Sequence, residues 1–391
     1  MPSRRDVLET VGTAAIAGMT GCVGGLRDPI GGTHSVKGPC TTDDWMWPTA
    51  GGDPGRTGRT DTSPPSEDAD VVDLLAGIHD DGRQRLAAGP PAVGDEALFV
   101  PSTPGVLALP RESPGEGPLW EYDLDDNVGA TPTLACGVVL VPSLNALVAL
   151  DPATGERYWR VDEGGHETTA VAAEDETVYL AGVNPHAIDI RTGEVKWSVE
   201  GGDTVAVDDG VYTTHNGNGT GAIYAHDRDG EQRWQLSLGK IVGSASALDD
   251  TVWVADNLGT VYAIDADTGE TRWSRGLDGV EKVHSGLAVR GDDVVVPAGV
   301  GDVSYLLDTA SGEPRWTAPT GIVTGRPVVG DDWVAFGRTN IGVTVYDRST
   351  GDELATWSRD DYGLGTISGL VPVEGGFVVR GGSTSGLALI H

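Results

Sequence analysis

The sequence predicts an all-β chain, an eight-bladed β-propeller built from four-stranded antiparallel blades and closed by an N-terminal strand. Three observations predict it. Trp120, Trp159, Trp197, Trp234, Trp273, Trp316 and Trp357 recur every 37 to 43 residues, a period that belongs to stacked repeats of one supersecondary unit. Each Trp closes a version of one phrase, Asp-x-x-Thr-Gly-Glu followed by the ring: it is complete at 151–159, 189–197 and 265–273, has Ser for Thr at 308–316, is one residue shorter at 227–234 and two longer at 347–357, and keeps only Gly-Glu before Trp120. The 391 residues hold 58 Gly and 23 Pro, a composition for many turns and short strands rather than long helices.

The elements follow in chain order. Residues 1–22 carry paired Arg4 and Arg5, a short weakly apolar stretch and Thr20-Gly21-Cys22. That stretch is far below the ~20 residues of a permanent membrane span. The order resembles a twin-arginine export signal ending in a lipobox, with Cys22 as the lipidated residue. Residues 23–42, rich in Gly, Thr and Pro, read as a flexible tether. The globular part is expected over residues 43–391. Within a repeat, Thr251–Ala255 and Thr260–Ile264 flank Asp256-Asn-Leu-Gly259, the pattern of a hairpin whose β-branched and aromatic strands meet at an Asn/Gly turn. Asp265-x-x-Thr-Gly-Glu270 is a second tight turn, with Gly at the positive-φ position and Asp and Thr bonding the turn's own backbone. The Trp strand comes next, then a short strand of small residues such as 243–248.

The hairpins' second strands end near Leu109, Leu150, Asp189, Asp227, Asp265, Asp308, Asp347 and Ile390, which gives eight blades. The last stops at His391 with no outer strand after it, and an open sheet edge invites aggregation. Residues 71–75 (Val-Val-Asp-Leu-Leu) are expected to supply that strand.

The phrase Ala-x-Asp-x-x-Thr-Gly-Glu-x-x-Trp at 149–159, 187–197 and 263–273 resembles the tryptophan-docking motif of quinoprotein-like, pyrroloquinoline-quinone-type propellers. Residues 44–58, Asp-Trp-Met-Trp-Pro through Gly-Asp-Pro-Gly-Arg-Thr-Gly, resemble the segment that precedes the first blade in such proteins. The chain is similar to the propeller lipoproteins of bacterial β-barrel assembly machinery, which implies a rigid ring for protein contacts. It is also similar in scaffold to quinone-dependent dehydrogenases. Those carry adjacent cysteines at the cofactor and a calcium held by acidic and amide side chains. This chain has no adjacent cysteines among its three, so neither the quinone nor calcium is expected, and fold alone does not license the activity.

Asp plus Glu total 59 against 26 Lys plus Arg, a formal net charge of −33. Only Lys37, Lys196, Lys240 and Lys282 are lysines. Such a surface repels nucleic acid and anionic lipid. Because the acids are spread along the chain rather than blocked, the composition resembles proteins of salt-accumulating, haloarchaeal organisms. At ~1 M salt the Debye length is about 3 Å and self-repulsion is screened. Loss of structure at low ionic strength is the expectation.

No phosphate loop, nucleophile elbow, zinc-protease or dinucleotide motif appears. Asp265–Glu270 fails as a calcium loop, because position six is Glu270 and position twelve is Gly276. No catalytic, cofactor-binding or metal-binding residue is assigned. The axial mouth is the expected ligand surface, with His166, Lys240, His284 and Arg326 as candidate contacts: solvated loop residues on one reading, a cationic rim for an anionic ligand or acidic peptide on the other. Cys40 and Cys136 can pair or stay apart on sequence grounds. The reading is a non-catalytic, membrane-anchored, extracytoplasmic monomer that serves as a platform for an unidentified protein partner or ligand. A quinone-dependent dehydrogenase and an extracellular sensor or solute-binding domain stand as alternatives.

Overall fold

The computed structural model describes residues 36, 40, 47–75, 89–124, 128, 130–162, 171–217, 219–240, 243–283, 285–358, 366–381 and 386–391. Seven four-stranded antiparallel sheets occupy residues 92–123, 133–161, 171–198, 204–237, 246–276, 288–318 and 328–358 in chain order. The eighth takes Ile367–Val373, Gly376–Gly381 and Leu387–Ile390 from the C-terminus and Val71–Asp73 from the N-terminal side. Eight blades therefore form a β-propeller. Among the described residues the helical content is one short turn, Pro114–Glu116.

The ring is closed as the sequence predicts. Val71, Val72 and Asp73 pair with Ile390, Leu389 and Ala388, and Asp70 and His391 exchange both backbone hydrogen bonds. Leu74 and Leu75, just beyond the paired residues, are buried between the first and eighth blades. Closing one blade with strands from both ends of the chain removes an exposed edge.

The fifth blade shows why the repeated phrase folds as it does. Its strands are Ser246–Leu248, Thr251–Ala255, Thr260–Asp265 and Thr271–Gly276, from axis to rim. Asp265 accepts hydrogen bonds from the backbone N–H groups of Asp267 (3.2 Å) and Thr268 (2.9 Å). Thr268 Oγ1 accepts from the Glu270 N–H. The same Asp-headed turn recurs at Asp151, Asp189, Asp308 and Asp347. Burial pushes the Asp151 and Asp189 carboxyls up, but the turn hydrogen bonds outweigh it and hold both below the ordinary carboxylate range. Asp308 sits at about 2, held down by hydrogen bonds from Arg315 and Ser311.

Trp273 lies directly opposite Ala263, and the register shifts between Ala263 and Ile264. The same pairing joins Ala149 to Trp159, Ala187 to Trp197 and Ala225 to Trp234. Ala108 likewise faces Trp120, whereas the sixth blade sets Leu306 opposite Trp316. In the seventh blade the phrase is two residues longer, and Trp357 pairs with Val343, further along its partner strand.

Each indole then bonds the turn of the following blade. Trp120 Nε1 donates to Pro152 O, Trp159 to Ile190 O, Trp197 to Arg228 O, Trp234 to Ala266 O, Trp273 to Thr309 O and Trp316 to Arg348 O, all at 2.7–2.9 Å. The ring rests on the glycine of that turn: a Cβ on Gly269 would fall 2.7 Å from Trp234 Cδ2. Trp357 faces the closed eighth blade, which has no such turn, and packs edge-on against Phe377 instead. Burial of 150–250 Å² per large aromatic at ~25 cal/mol per Å² gives several kcal/mol per joint as an upper bound. The rings are not equally covered. Trp159, Trp234, Trp316 and Trp357 are buried, whereas Trp120, Trp197 and Trp273 are half-buried.

Candidate functional site

In every blade the turn between the first and second strands, and in the first seven the turn between the third and fourth, lie on one face of the disk. The second-to-third turns and the inter-blade connections lie on the other. The sequence charges these faces differently. The innermost turns on the first face carry Asp95 and Glu96, Asp175 and Glu176, Asp208 and Asp209, Asp249 and Asp250, Asp292, Asp331 and Asp332, and Glu374, with no Lys or Arg between their strands. The second-to-third turns carry Asp256 and Asp302 as their only charged residues.

The field on the acidic face is visible in Asp208. Burial raises its pKa, and Asp209, Asp249 and Asp53 raise it further, to about 6. Arginines cross-link this face between blades. Arg228 pairs with Glu174 and donates to Asp208 O at 2.6 Å. Buried Asp293 takes Arg348 at 2.6 Å and Arg315 at 3.1 Å. The opposite face carries apolar tips. Leu258 (58% exposed), Val300 and Ile322 project from three consecutive blades and their connections, and Val183 (55% exposed) stands on the third.

The axis is filled from the N-terminal side. Residues 47–60 run around the inner ends of the blades as a strap. Trp47 exchanges backbone hydrogen bonds with Val93 of the first blade. The carbonyls of Pro48, Pro54, Gly55, Thr57 and Gly58 accept from Leu134, Val207, Ala247, Val289 and Val329 of the second, fourth, fifth, sixth and seventh blades. Thr49 Oγ1 donates to Val171 O of the third, at 3.0 Å. The Gly-Asp-Pro-Gly-Arg-Thr-Gly composition suits this path. A Cβ on Gly55 would sit 2.2 Å from Ala247 O, and one on Gly58 would sit 2.7 Å from Pro327 O. Asp53 caps the bend by accepting from Thr57 N at 2.9 Å and Thr57 Oγ1 at 2.5 Å, and it pairs with Arg59 at 3.0 Å.

Two guanidinium groups occupy the axis. Arg326, one of the residues singled out from sequence, does not stand on a rim. Its Nη1 donates to Arg56 O, Ser246 Oγ and Leu287 O, and its Nη2 meets Ser244 Oγ at 3.2 Å. Glycines at 51 and 286 make room for it. A Cβ on Gly286 would fall 2.2 Å from Arg326 Nη2. Arg56, on the strap, is 6% exposed. Burial lowers Arg56 to about 10 despite Asp53, and lowers Arg326 to about 9 with Arg56 adding to the effect. Lys240 is exposed in the connection from the fourth to the fifth blade. His166 and His284 lie outside the described residues, as do Arg4, Arg5 and Cys22. Sequence reasoning missed Arg56, whose signal was its place inside a glycine-rich stretch too polar for a strand.

Cys40 and Cys136 form a disulfide. Val36 is buried in the second-blade cluster, and Arg191 Nη1 donates to its carbonyl at 3.1 Å. The expectation of a loose 23–42 tether therefore fails at Val36 and Cys40, because apolar burial and a covalent bond fix both to the second blade. Among the described residues no helix is long and apolar enough to cross a membrane.

The profile of the PQQ-type repeat family described as outer membrane protein assembly factor BamB matches residues 56–209 and 219–383. The chain belongs to this family. BamB of Burkholderia pseudomallei (strain K96243) is 29% identical over 175 residues, 42% of this chain and 45% of that protein. The chain thus spans about half the length of that relative. The crystal structure of BamB from Moraxella catarrhalis superposes with a TM-score of 0.60 at 17% identity, covering 82% of this chain and 95% of that one. The quinohemoprotein alcohol dehydrogenase of Comamonas testosteroni reaches 0.71 at 15% identity, covering 90% and 81%. At these identities the two structures share the fold with this BamB-family chain, and no more is carried across.

The fold family's enzymes imply a quinone with calcium, and the residues present do not fit that group. Cys40 and Cys136 are committed to each other across 96 residues. Asp53, the carboxylate of the axial strap, is taken by Thr57 and Arg59. Among the described residues no cluster of three His, Cys, Asp or Glu side chains is placed to hold a metal.

Proposed function

We propose that this BamB-family propeller is a non-catalytic protein-interaction platform, held outside the cytoplasm by lipid on Cys22. The observation that carries the reading is the division of charge between the two faces of the ring. The face built from innermost turns is crowded with carboxylates, and its arginines pair with carboxylates of their own blade and of the neighbouring one. The opposite face presents Val183, Leu258, Val300 and Ile322 beside second-to-third turns whose only charges are Asp256 and Asp302, while its inter-blade connections add fewer carboxylates, among them Glu200, Asp203 and Asp278. Apolar tips on a polar surround are the usual chemistry of a protein contact. A ring locked by a strap, a disulfide and a shared last blade is rigid, so a partner docks with little ordering cost. The disulfide supports an oxidising, extracytoplasmic setting.

The test is a photo-crosslinking residue placed at 258 or 322, against controls at 229 and 267 on the acidic face, in intact membranes at native salt. Protein adducts from the first pair and none from the second are expected. Adducts from the acidic-face positions alone would refute the choice of face. Cys22→Ala should release the chain from membranes, and retention of that variant would refute the anchor. The alternative of an extracellular sensor or solute-binding domain is favoured by one feature, the desolvated guanidinium pair on the axis.

A further inference from the structure

We propose that the axis of the propeller holds a small inorganic oxyanion, of the phosphate or sulfate class, between Arg56 and Arg326. Buried charges in proteins are paired or bound to ions, because desolvating an unpaired ion is costly. These two carry the same sign and are neighbours, since Arg326 Nη1 donates to the Arg56 carbonyl. The carboxylate closest in influence, Asp53, is already shared between Thr57 and Arg59. Arg326 is satisfied only by neutral oxygens, those of Arg56, Leu287, Ser244 and Ser246. Arg56 is worse off. It is more than nine-tenths buried, its Nε has no acceptor, and its single hydrogen bond, Nη2 to Val171 O, is long at 3.5 Å. Burial depresses both guanidinium groups, and Arg56 lowers Arg326 further, the direction expected where a compensating negative charge is missing.

The site is constructed rather than incidental. Gly51 and Gly286, both at positive φ, leave the space that Arg326 fills. The strap lays Arg56 along the axis through backbone bonds to six blades and the Thr49 hydroxyl's bond to a seventh. Thr49 and Thr133, hydroxyl to hydroxyl at 2.9 Å, converge on the same Val171 carbonyl as Arg56. Guanidinium forks and hydroxyls are the donors that suit an oxyanion, since the planar N–H pairs match its oxygens two at a time. Arg326 keeps part of its surface in contact with solvent, so an ion can reach it. At the acidic-face end, where Asp209, Asp249 and Asp53 already raise Asp208, a like-charged ion would be repelled. Entry is thus from the apolar-tipped face.

The experiment titrates inorganic phosphate into the full-length protein while KCl keeps the ionic strength constant, and reads the thermal unfolding midpoint. A saturable rise is expected for the wild type. Arg326→Gln should weaken the apparent affinity at least about tenfold, the lower end for losing one charge-assisted hydrogen bond. General stabilisation by an excluded salt would instead be linear and equal in both proteins, and that result overturns the proposal. Wild-type crystals grown in selenate supply a readout that does not depend on the variant folding. An anomalous peak within hydrogen-bond reach of both guanidinium groups is expected, and an empty axis would overturn the assignment.

Discussion

Gly269 tests the joint between blades most sharply. Its φ is +73°, a conformation in which an L residue costs about 1–2 kcal/mol. A Cβ there would also stand 2.7 Å from Trp234 Cδ2 and 2.8 Å from Cγ, inside any real carbon contact. The turn is pinned by Asp265, so the ring must move. Trp234 is 8% exposed and bonds Ala266 O at 2.9 Å. Losing that bond costs about 1 kcal/mol. Displacing the ring forfeits a fraction of the ~3–5 kcal/mol that removing a buried Trp costs. Gly269→Ala should therefore destabilise by about 3–4 kcal/mol. In a Trp234→Ala background nothing remains to collide with, and the same change should cost about 1 kcal/mol, the backbone strain alone. Denaturant unfolding at fixed high salt, read by far-ultraviolet circular dichroism for the four proteins of the cycle, measures the coupling. Gly375→Ala is the matched control, with φ +64° and no atom within 4 Å of the new Cβ. If Gly269→Ala costs the same in both backgrounds, the glycine serves the turn only, and the docking account of the repeated Thr-Gly is wrong.

Other expectations follow from the same geometry. Asp208 is raised to about 6, so its protonated form stabilises the fold below the unfolded value of about 3.9, and that benefit is lost as pH rises through 6. Asp208→Asn should therefore gain about 1 kcal/mol at pH 7, after discounting a half-exposed group for solvent screening, and nothing near pH 3. Thermal melts across pH check this, and a loss at pH 7 would contradict it. The −33 formal charge predicts a midpoint that climbs with KCl to ~1 M, where the Debye length is about 3 Å; a flat response would remove the halophile reading. Val72→Pro deletes a ladder donor from the closing pair with Leu389, and should open the ring and promote aggregation, which light scattering would detect. Reducing the Cys40–Cys136 bridge, which spans 96 residues, should lower stability by about 2–4 kcal/mol; an unchanged denaturation midpoint under reductant would contradict it.

The propeller was legible because its joints are written locally. Asp, Thr and Gly fold each turn through bonds spanning four residues or fewer, and the Trp that follows reaches one blade onward, so a period in sequence becomes a period in space. The closing strand was legible for a different reason. The last hairpin lacks an outer strand, and only Val71–Asp73 lay spare upstream. The axial strap was not legible as a structure. Its contacts run from residues 47–60 to 93, 134, 171, 207, 247, 289 and 329, separations that carry no local pattern. Apart from the Thr49 hydroxyl and the Arg56 guanidinium, its residues take part through the backbone, mostly as carbonyl acceptors, and a carbonyl is common to every residue type. Arg326 was noticed for its charge and misplaced, because sequence cannot tell a cation on a rim from one turned inward onto carbonyl oxygens.

The strap and the face asymmetry belong to one physical arrangement. Innermost strands crowd at the axis, so their turns come close together on one face. In an acidic chain those turns bring carboxylates together, as Asp208 records with its neighbours Asp209 and Asp249. Arginines at the same end offset part of that repulsion: Arg59 of the strap lowers Asp208 although Asp53 raises it, and Arg290 of the sixth blade reaches both Asp61, just past the strap, and Asp331 on the seventh blade. The strap itself ties that end of the ring together through its backbone carbonyls. The cost is a pair of guanidinium groups left facing one another inside. The opposite face is less crowded, because its second-to-third turns carry only Asp256 and Asp302 and its inter-blade connections add fewer carboxylates than the innermost turns hold. It is therefore the face free to carry apolar side chains and, with them, a partner.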